Sequence, residues 1–367
     1  MTLDHAVALS LLENLPRVNL TDRLKNDPDL LSLASPRLDE ARAIRTRAER
    51  AGIQVVAWND ARFPAALTTL TDLPPVLWYE GHLSATELPA IAIVGSRAAS
   101  AVAIETASRL AADIGGAGIT VVSGLARGVD SAAHRAALGA GRTIAVLGSG
   151  LDRVYPAEHT PLAKEIALSG LVVSEFPPGS PPLPHHFPMR NRLISGLAQG
   201  VVVIEASDKS GSLITASCAL EQGRDVMVVP GNVLSGRNKG GHALLRDGAK
   251  IVESADDIVR ELGWCRVPDG AQGNEITRCR IAVSGDPLIQ QMVPGQPYDV
   301  DELTGLSGLE PKRLLPRLLD LELRGFVRRA GGGRSEGTHR RTRQLAREAG
   351  GLHQSRLGHE RTVRRRR

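Results

Sequence analysis

The sequence predicts a doubly wound α/β domain on a parallel sheet, preceded by a small helical region and followed by a winged-helix-like module. Between residues 91 and 229, six short apolar runs recur without polar alternation, five closed by Gly, Ser or a carboxylate and the sixth by Pro230-Gly231, and each followed by a helix-length amphipathic segment. Unalternating runs of this kind are strands buried on both faces, as parallel sheets require. The runs start roughly 25 to 30 residues apart, the length of a strand plus a right-handed helical crossover. Downstream of a Gly- and Pro-bearing stretch, three helical segments precede a strand-like piece and a triple glycine, the outline of a winged helix.

Taken in order, residues 1–85 read as a leader of short helices with one strand-like piece, 54–58, and a proline-punctuated stretch around Pro74-Pro75-Val76-Leu77-Trp78. Residues 86–260 form the α/β domain, with strands over 91–94, 119–122, 143–147, 171–173, 201–204 and 226–229. Such sheets take their ligands at the carboxyl ends of the strands. Residues 261–282 read as a linker and 283–333 as the winged-helix-like module. Its third helix, 310–324, contains Pro316, and its strand begins Phe326-Val327-Arg328-Arg329. The Arg-rich segment 334–367 lacks apolar periodicity and is expected to be disordered.

The net charge of +5 and pI near 9.4 invite a nucleic-acid reading, but the charge is unevenly placed. From Arg334 onward there are eleven Arg against three Glu, which leaves 34 basic and 37 acidic residues in the first 333. An anion bound by the body must therefore be held by backbone N–H groups, helix N-termini and a few placed arginines. Cys218, Cys265 and Cys279 make neither a CxxC pair nor a zinc spacing, so no disulfide, metal or other cofactor is expected. The first apolar run is short and follows Asp4 and His5 rather than Lys or Arg, unlike a secretory signal. No run nears the roughly 18 apolar residues of a membrane span, so a cytoplasmic location without membrane contact is expected.

Five strand ends carry candidate anion cradles. The first gives Gly95-Ser96-Arg97, where glycine permits a tight turn and Arg97 can add a charge-assisted fork. The second gives Ser123-Gly124-Leu125-Ala126-Arg127-Gly128-Val129-Asp130, with Asp130 placed as a helix N-cap. The third, Gly148-Ser149-Gly150-Leu151-Asp152-Arg153, has the spacing of a dinucleotide fingerprint but Arg153 at the third glycine position, which disfavours a dinucleotide. After the fifth, Lys209-Ser210-Gly211-Ser212 opens a helix, and Lys239-Gly240-Gly241 opens another after the sixth. Several cradles on one edge suit a chain of phosphates better than a single nucleotide.

The richest stretch is His186-Phe187-Pro188-Met189-Arg190-Asn191-Arg192. Arginine forks for phosphates and a ring on which a base can stack are what a single strand requires. Aromatics are only 3% of the chain, so Phe187 outside any strand stands out. A second reading has Phe187 capping the core and the arginines pairing with Glu175 or Glu205 across the strand ends.

The strings IAIVGSR, SGLARGVDSAAH, AVLGSGLDRVYP, SEFPPG, HFPMRNRLISGL, VVVIEA, SGSLITA and VPGN stand in the order and spacing of one family. On them the 91–260 region resembles the DNA-processing protein A (DprA/Smf) family. That resemblance implies a Rossmann-like domain that binds single-stranded DNA, dimerises and helps load the recombinase RecA onto incoming strands in natural transformation and homologous recombination. It implies phosphate contacts at Ser96, Arg97 and the Ser210 to Ser212 turn, and base stacking on Phe187 beside Arg190 and Arg192. His159 and Ala98-Ala99-Ser100 depart from the family's usual residues.

The expected interface is thus Gly95, Ser96, Arg97, Ser123, Gly124, Arg127, Gly128, Phe187, Arg190, Asn191, Arg192, Lys209, Ser210, Gly211 and Ser212, in a protein that is not an enzyme. The competing reading is a nucleotide N-glycoside hydrolase on a similar fold. It lacks its acid or base, because SGSLITA is followed by Ser217, Cys218 and Ala219 with no carboxylate until Glu221. A third reading assigns the winged-helix-like module to protein rather than DNA binding, since Lys312, Arg313, Arg317 and Arg324 suffice for phosphates but not for a base code.

Overall fold

A computed structural model describes residues 1–12, 19–266, 276–278, 288, 297–307, 309–323, 327–330 and 334–337. The chain divides into two compact units, Met1–Arg278 and Cys279–Arg367.

In the first unit all six expected strands form: β3 (Ala90–Gly95), β4 (Thr120–Ser123), β5 (Thr143–Leu147), β6 (Leu171–Ser174), β7 (Gly200–Ile204) and β8 (Asp225–Val229). They pair in parallel in the order β6-β5-β4-β3-β7-β8 within a nine-stranded sheet. Helices cover both faces, and neighbouring residues of one strand enter different cores. Ile91, Ile93, Val202 and Ile204 join the cluster that includes Ala103 and Ala107 of α5 (Ala101–Gly116) and Ala133 and Ala137 of α6 (Val129–Ala140). Ala92, Val94, Val201 and Val203 join the opposite cluster, with Ile166 of α7 (Thr160–Ser169), Leu193 and Ile194 of α8 (His186–Leu197) and Ala216 of α9 (Ser212–Glu221). A period of two with both faces buried explains why these strands show no polar alternation.

The leader contributes more than helices. After α1 (Leu3–Ser10), α2 (Leu20–Asn26), α3 (Asp29–Ala34) and α4 (Leu38–Arg50), it adds β1 (Gln54–Ala57) and β2 (Val76–Gly81) to the sheet. β2 runs antiparallel to β1 and to β6, so the sheet extends into the segment read as a helical leader. The cause is burial: Val76, Leu77 and Trp78 are fully enclosed, and the prolines before them end one turn rather than preclude a strand. On the opposite edge, α10 (Lys239–Arg246) precedes a two-residue strand, β9 (Lys250–Ile251), and α11 (Ala255–Glu261) follows with a Ser254 capping box. The stretch read as a linker contains a paired ribbon, β10 (Trp264–Arg266) with β11 (Ile276–Arg278), and Trp264 is buried against the α5/α6 core.

The second unit holds α12 (Val300–Ser307), α13 (Pro311–Leu323) and a three-stranded sheet of β12 (Pro297–Tyr298), β14 (Arg334–Gly337) and β13 (Val327–Ala330). Leu303, Leu314, Leu318, Leu321 and Val327 make its core with Leu288 and Tyr298. Pro316 sits inside α13 without ending it. The first of the three expected helices lies outside the described residues, apart from the helical Leu288. Arg334–Gly337, expected to begin a disordered tail, forms a strand instead, and 338–367 lie outside the described residues.

Candidate nucleic-acid interface

β3 pairs with β4 on one side and β7 on the other, so the chain's direction of winding reverses between β3 and β7. Loops leaving such a pair diverge and open a crevice at the carboxyl ends of the strands. Here that crevice is a cleft of about 660 Å³. Its lining comes from the turn after β3 (Gly95, Ser96, Arg97), the turn before α9 (Ser207, Lys209 to Ser212), the first turns of α8 (Phe187, Pro188, Arg190, Asn191), Tyr155, and the prolines Pro182 and Pro184.

Close approach builds the β3 turn. A Cβ on Gly95 would lie 2.0 Å from the Ile204 carbonyl oxygen, so only glycine lets β3 and β7 run side by side to this point. Beyond it, Ser100 caps α5 by accepting from the Ala103 N–H at 3.2 Å. Glu205 holds Ser100 through both carboxylate oxygens, taking the backbone N–H at 2.8 Å and the hydroxyl. It does so from a left-handed conformation, φ 51°, that a non-glycine residue adopts only when its surroundings enforce it. The 98–100 departure from the family's residues thus has defined geometry, and Arg97 emerges from it exposed.

Arg97 lies over the Phe187 ring, 5.4 Å from its centroid. The same ring meets Tyr155 at 5.5 Å in a tilted pair and rests on the Gly148 turn, where a Cβ would come 3.0 Å from it. Phe187 therefore gathers the first turn, the third turn and α8 at one wall of the cleft, half-buried and not part of the core. Across the cleft Lys209 and Gly211 are exposed, and nothing lies within 4 Å of where a Gly211 Cβ would be. Ser210 and Ser212 bond to each other through their hydroxyls at 2.7 Å, and Asn191 ties α8 to this turn by donating to the Gly211 carbonyl at 3.3 Å. This gives a cationic group on each side of a polar floor, with a backbone open to a close ligand.

Ser123, Gly124, Arg127 and Gly128 lie outside the lining of this cleft. Ser123 is buried and donates its hydroxyl to the Ile93 carbonyl at 2.6 Å, so it faces β3 and not a ligand. Gly124 is buried under a guanidinium, and Gly128, φ 76°, packs on the first turn, where a Cβ would meet the Ser96 oxygen at 2.3 Å. The second turn is a buttress for the first, joined to it by the Val129 N–H to Ser96 O bond at 3.2 Å. Arg127 is exposed but engaged in a two-pronged fork with Glu158, both contacts 2.7 Å. Asp130 is not the N-cap, which is Gly128. It accepts from the Gly124 and Ala126 N–H groups at 3.1 and 3.4 Å, with its carboxyl pushed up by burial against the opposing pull of Arg190.

Neither arginine of the MRNR string is a free fork. Arg190 is 4% exposed and donates to the carbonyls of Gly124, at 2.8 Å, and of Val146. Burial lowers its pKa to about 10. Its side chain closes the cleft floor by joining the ends of β4 and β5. Arg192 is 7% exposed and paired with Glu175 and Asp72, each at 2.7 Å. The pairing weighed for Glu175 is thus realised for Arg192, because a buried strand-end carboxylate needs a cation. Glu205 pairs instead with Ser100 and, at 3.9 Å, with Arg237. His159 is also internal, its Nδ1–H donating to the Leu125 carbonyl at 2.8 Å. Tyr155, Pro182 and Pro184 were missed, although Tyr155 satisfied the criterion that singled out Phe187: an aromatic outside any strand in a chain poor in aromatics.

Residues 54–263 match the family described as DNA recombination-mediator protein A. The chain belongs to that family. Residues 286–333 match the DprA winged helix domain, which agrees with the helices and three-stranded sheet of the second unit. The chain is 45% identical over 203 residues to DNA processing protein DprA of Streptococcus pneumoniae, covering 55% of this chain and 72% of that protein. It is 39% identical over 276 residues to protein Smf of Escherichia coli, 74% of each. Among solved structures, DprA from S. pneumoniae superposes with a TM-score of 0.64 at 35% identity, over 71% of this chain and 98% of that one. DprA from Helicobacter pylori, described for its single-stranded DNA binding mode, superposes with a TM-score of 0.52 at 29% identity, over 57% and 95%. In this chain the GSR turn lines the cleft and both arginines of MRNR are buried, Arg190 within the cleft lining.

Proposed function

We propose that this chain binds single-stranded DNA across the switch-point cleft, without catalysis, and that it hands the strand to RecA as a homodimer in the cytoplasm. One observation carries the binding reading: exposed Arg97 and Lys209 flank a cleft whose wall is the Phe187–Tyr155 ring pair. Phosphates meet the two cations and the Ser210 to Ser212 turn, while an unstacked base meets the rings. A duplex keeps its bases paired and stacked, so the rings would have nothing to take. The single-stranded DNA binding of the H. pylori relative supports the same assignment. Arg190 and Arg192 are given structural roles in this reading, and Ser123, Gly124 and Gly128 support the Ser96 turn. The cleft's lining carboxylate, Asp130, is occupied in holding a loop, which favours a binding role over glycoside hydrolysis.

The test is fluorescence anisotropy on an oligothymidylate across a salt series. Replacing Arg97 and Lys209 together with alanine is expected to lower the slope of log affinity against log salt by about 1.4, roughly 0.7 for each phosphate that is no longer neutralised. An unchanged slope and affinity would mean the strand binds elsewhere. Repeating the series with residues 338–367 deleted separates the cleft from the basic segment.

A further inference from the structure

The second unit carries a surface unsuited to DNA. In α13, Leu314, Leu318 and Leu321 face the unit's core, and the opposite stripe is Lys312, Leu315, Pro316 and Leu319 at helical spacing. Leu315 is 53% exposed and Leu319 48%, with Pro316 between them also open to solvent. On the neighbouring α12, Leu306 is 38% exposed. This helix directly precedes the β13–β14 hairpin, the chain position of the recognition helix in a winged helix. Base edges there offer hydrogen-bond donors and acceptors, and two leucines and a proline at the centre of the stripe have no group with which to read them. Exposed leucines in a contiguous stripe with charge only at the border are the mark of a protein contact.

The border selects the partner. Lys312 and Arg313, both exposed, lie at the amino-terminal end of the stripe. We propose that the outward face of α13 docks an acidic amphipathic helix of another protein, its leucine-type side chains seated on Leu315, Pro316 and Leu319 and its carboxylates on Lys312 and Arg313. Apolar contact supplies most of the affinity, and the cations set the sign and orientation of the partner. This interaction is independent of the cleft and does not rest on the single-strand reading.

The probe is a synthetic helical peptide of about 16 residues with leucine on one stripe and glutamate on the others. Its binding to the full chain is followed by fluorescence anisotropy beside a same-composition scrambled peptide and a duplex oligonucleotide. The amphipathic peptide is expected to bind, the scrambled one at least about tenfold more weakly. Leu315→Ser with Leu319→Ser is expected to weaken the peptide about tenfold and leave the duplex unaffected, and Lys312→Glu with Arg313→Glu to weaken it by a smaller factor. Both pairs are exposed, and an unchanged circular dichroism melt shows that the unit stays folded. The proposal is overturned if the amphipathic peptide does not bind, if the leucine substitutions weaken duplex binding instead, or if they change the sedimentation of the chain, which would assign the stripe to a second copy.

Discussion

Arg97 and Arg192 carry the same guanidinium within one α/β unit, yet they live in different solvents. Arg97 stands at the cleft mouth with its charge in water and its plane over Phe187. Arg192 is enclosed between Glu175 and Asp72, its charge spent on neutralising a carboxylate that is itself buried. The first can change partner when an anion arrives, at the cost of a weak ring contact. The second cannot, because moving it would strand Glu175 in a low dielectric. Arg97 at the rim is therefore open to a ligand, whereas Arg192 is committed to its buried carboxylates.

Substitutions can break or sharpen that division. The largest effect is expected for Arg192→Ala, which leaves Glu175 without its cation and should cost about 3 kcal/mol in urea unfolding. The folded fraction should keep the salt slope of strand binding. A changed slope with unchanged stability would move Arg192 to the rim. In the same unit, His134 is fully buried, its Nδ1 2.7 Å from the Thr143 hydroxyl, and burial first, then Arg190 and His159, depress its pKa from 6.5 to about 3. Below pH 6.5 the unfolded chain takes up a proton at this site that the folded chain refuses. Its contribution is thus present above pH 6.5 and falls as pH drops toward 3, by up to about 1.4 kcal/mol per unit. Asp130, raised by burial, acts in the opposite sense but is common to both proteins, so wild type against His134→Gln in pH-resolved unfolding isolates the histidine. A parallel pH dependence in the two would show that His134 protonates in place.

Smaller changes belong to the rim. Phe187→Ala should cost about 1–3 kcal/mol of strand affinity with an unchanged salt slope, since stacking releases no counterion. A loss confined to stability would return the ring to the core. The smallest effect is expected for Arg127→Ala, whose fork to Glu158 is half-exposed on both sides. Neither the melting temperature nor the salt slope should move, and a slope lower by about 0.7 would add Arg127 to the groups that neutralise phosphate.

Much of this was legible in the residues. The strands from β3 to β8 are dominated by β-branched and small apolar residues, and burial on both faces leaves no other use for such runs. The Gly95 turn and the Lys209 to Ser212 turn were visible because their composition is itself the requirement: small residues at a helix start leave the backbone open. β2 was hidden behind Pro74 and Pro75, and β9 is too short to form a pattern.

What the sequence determined by itself is therefore local: the strands, the turns between them, the family, and the candidate cations and rings. Tertiary structure decided which of those candidates meet solvent. Arg192 is separated in sequence by 17 residues from Glu175 and by 120 from Asp72, and no short-range pattern reports those encounters. Arg190 closes on the carbonyls of Gly124 and Val146 only once β4 and β5 lie side by side. A charge's environment is a property of everything folded around it, so of two arginines expected to meet phosphate, Arg190 became part of the cleft floor and Arg192 a buried ion pair.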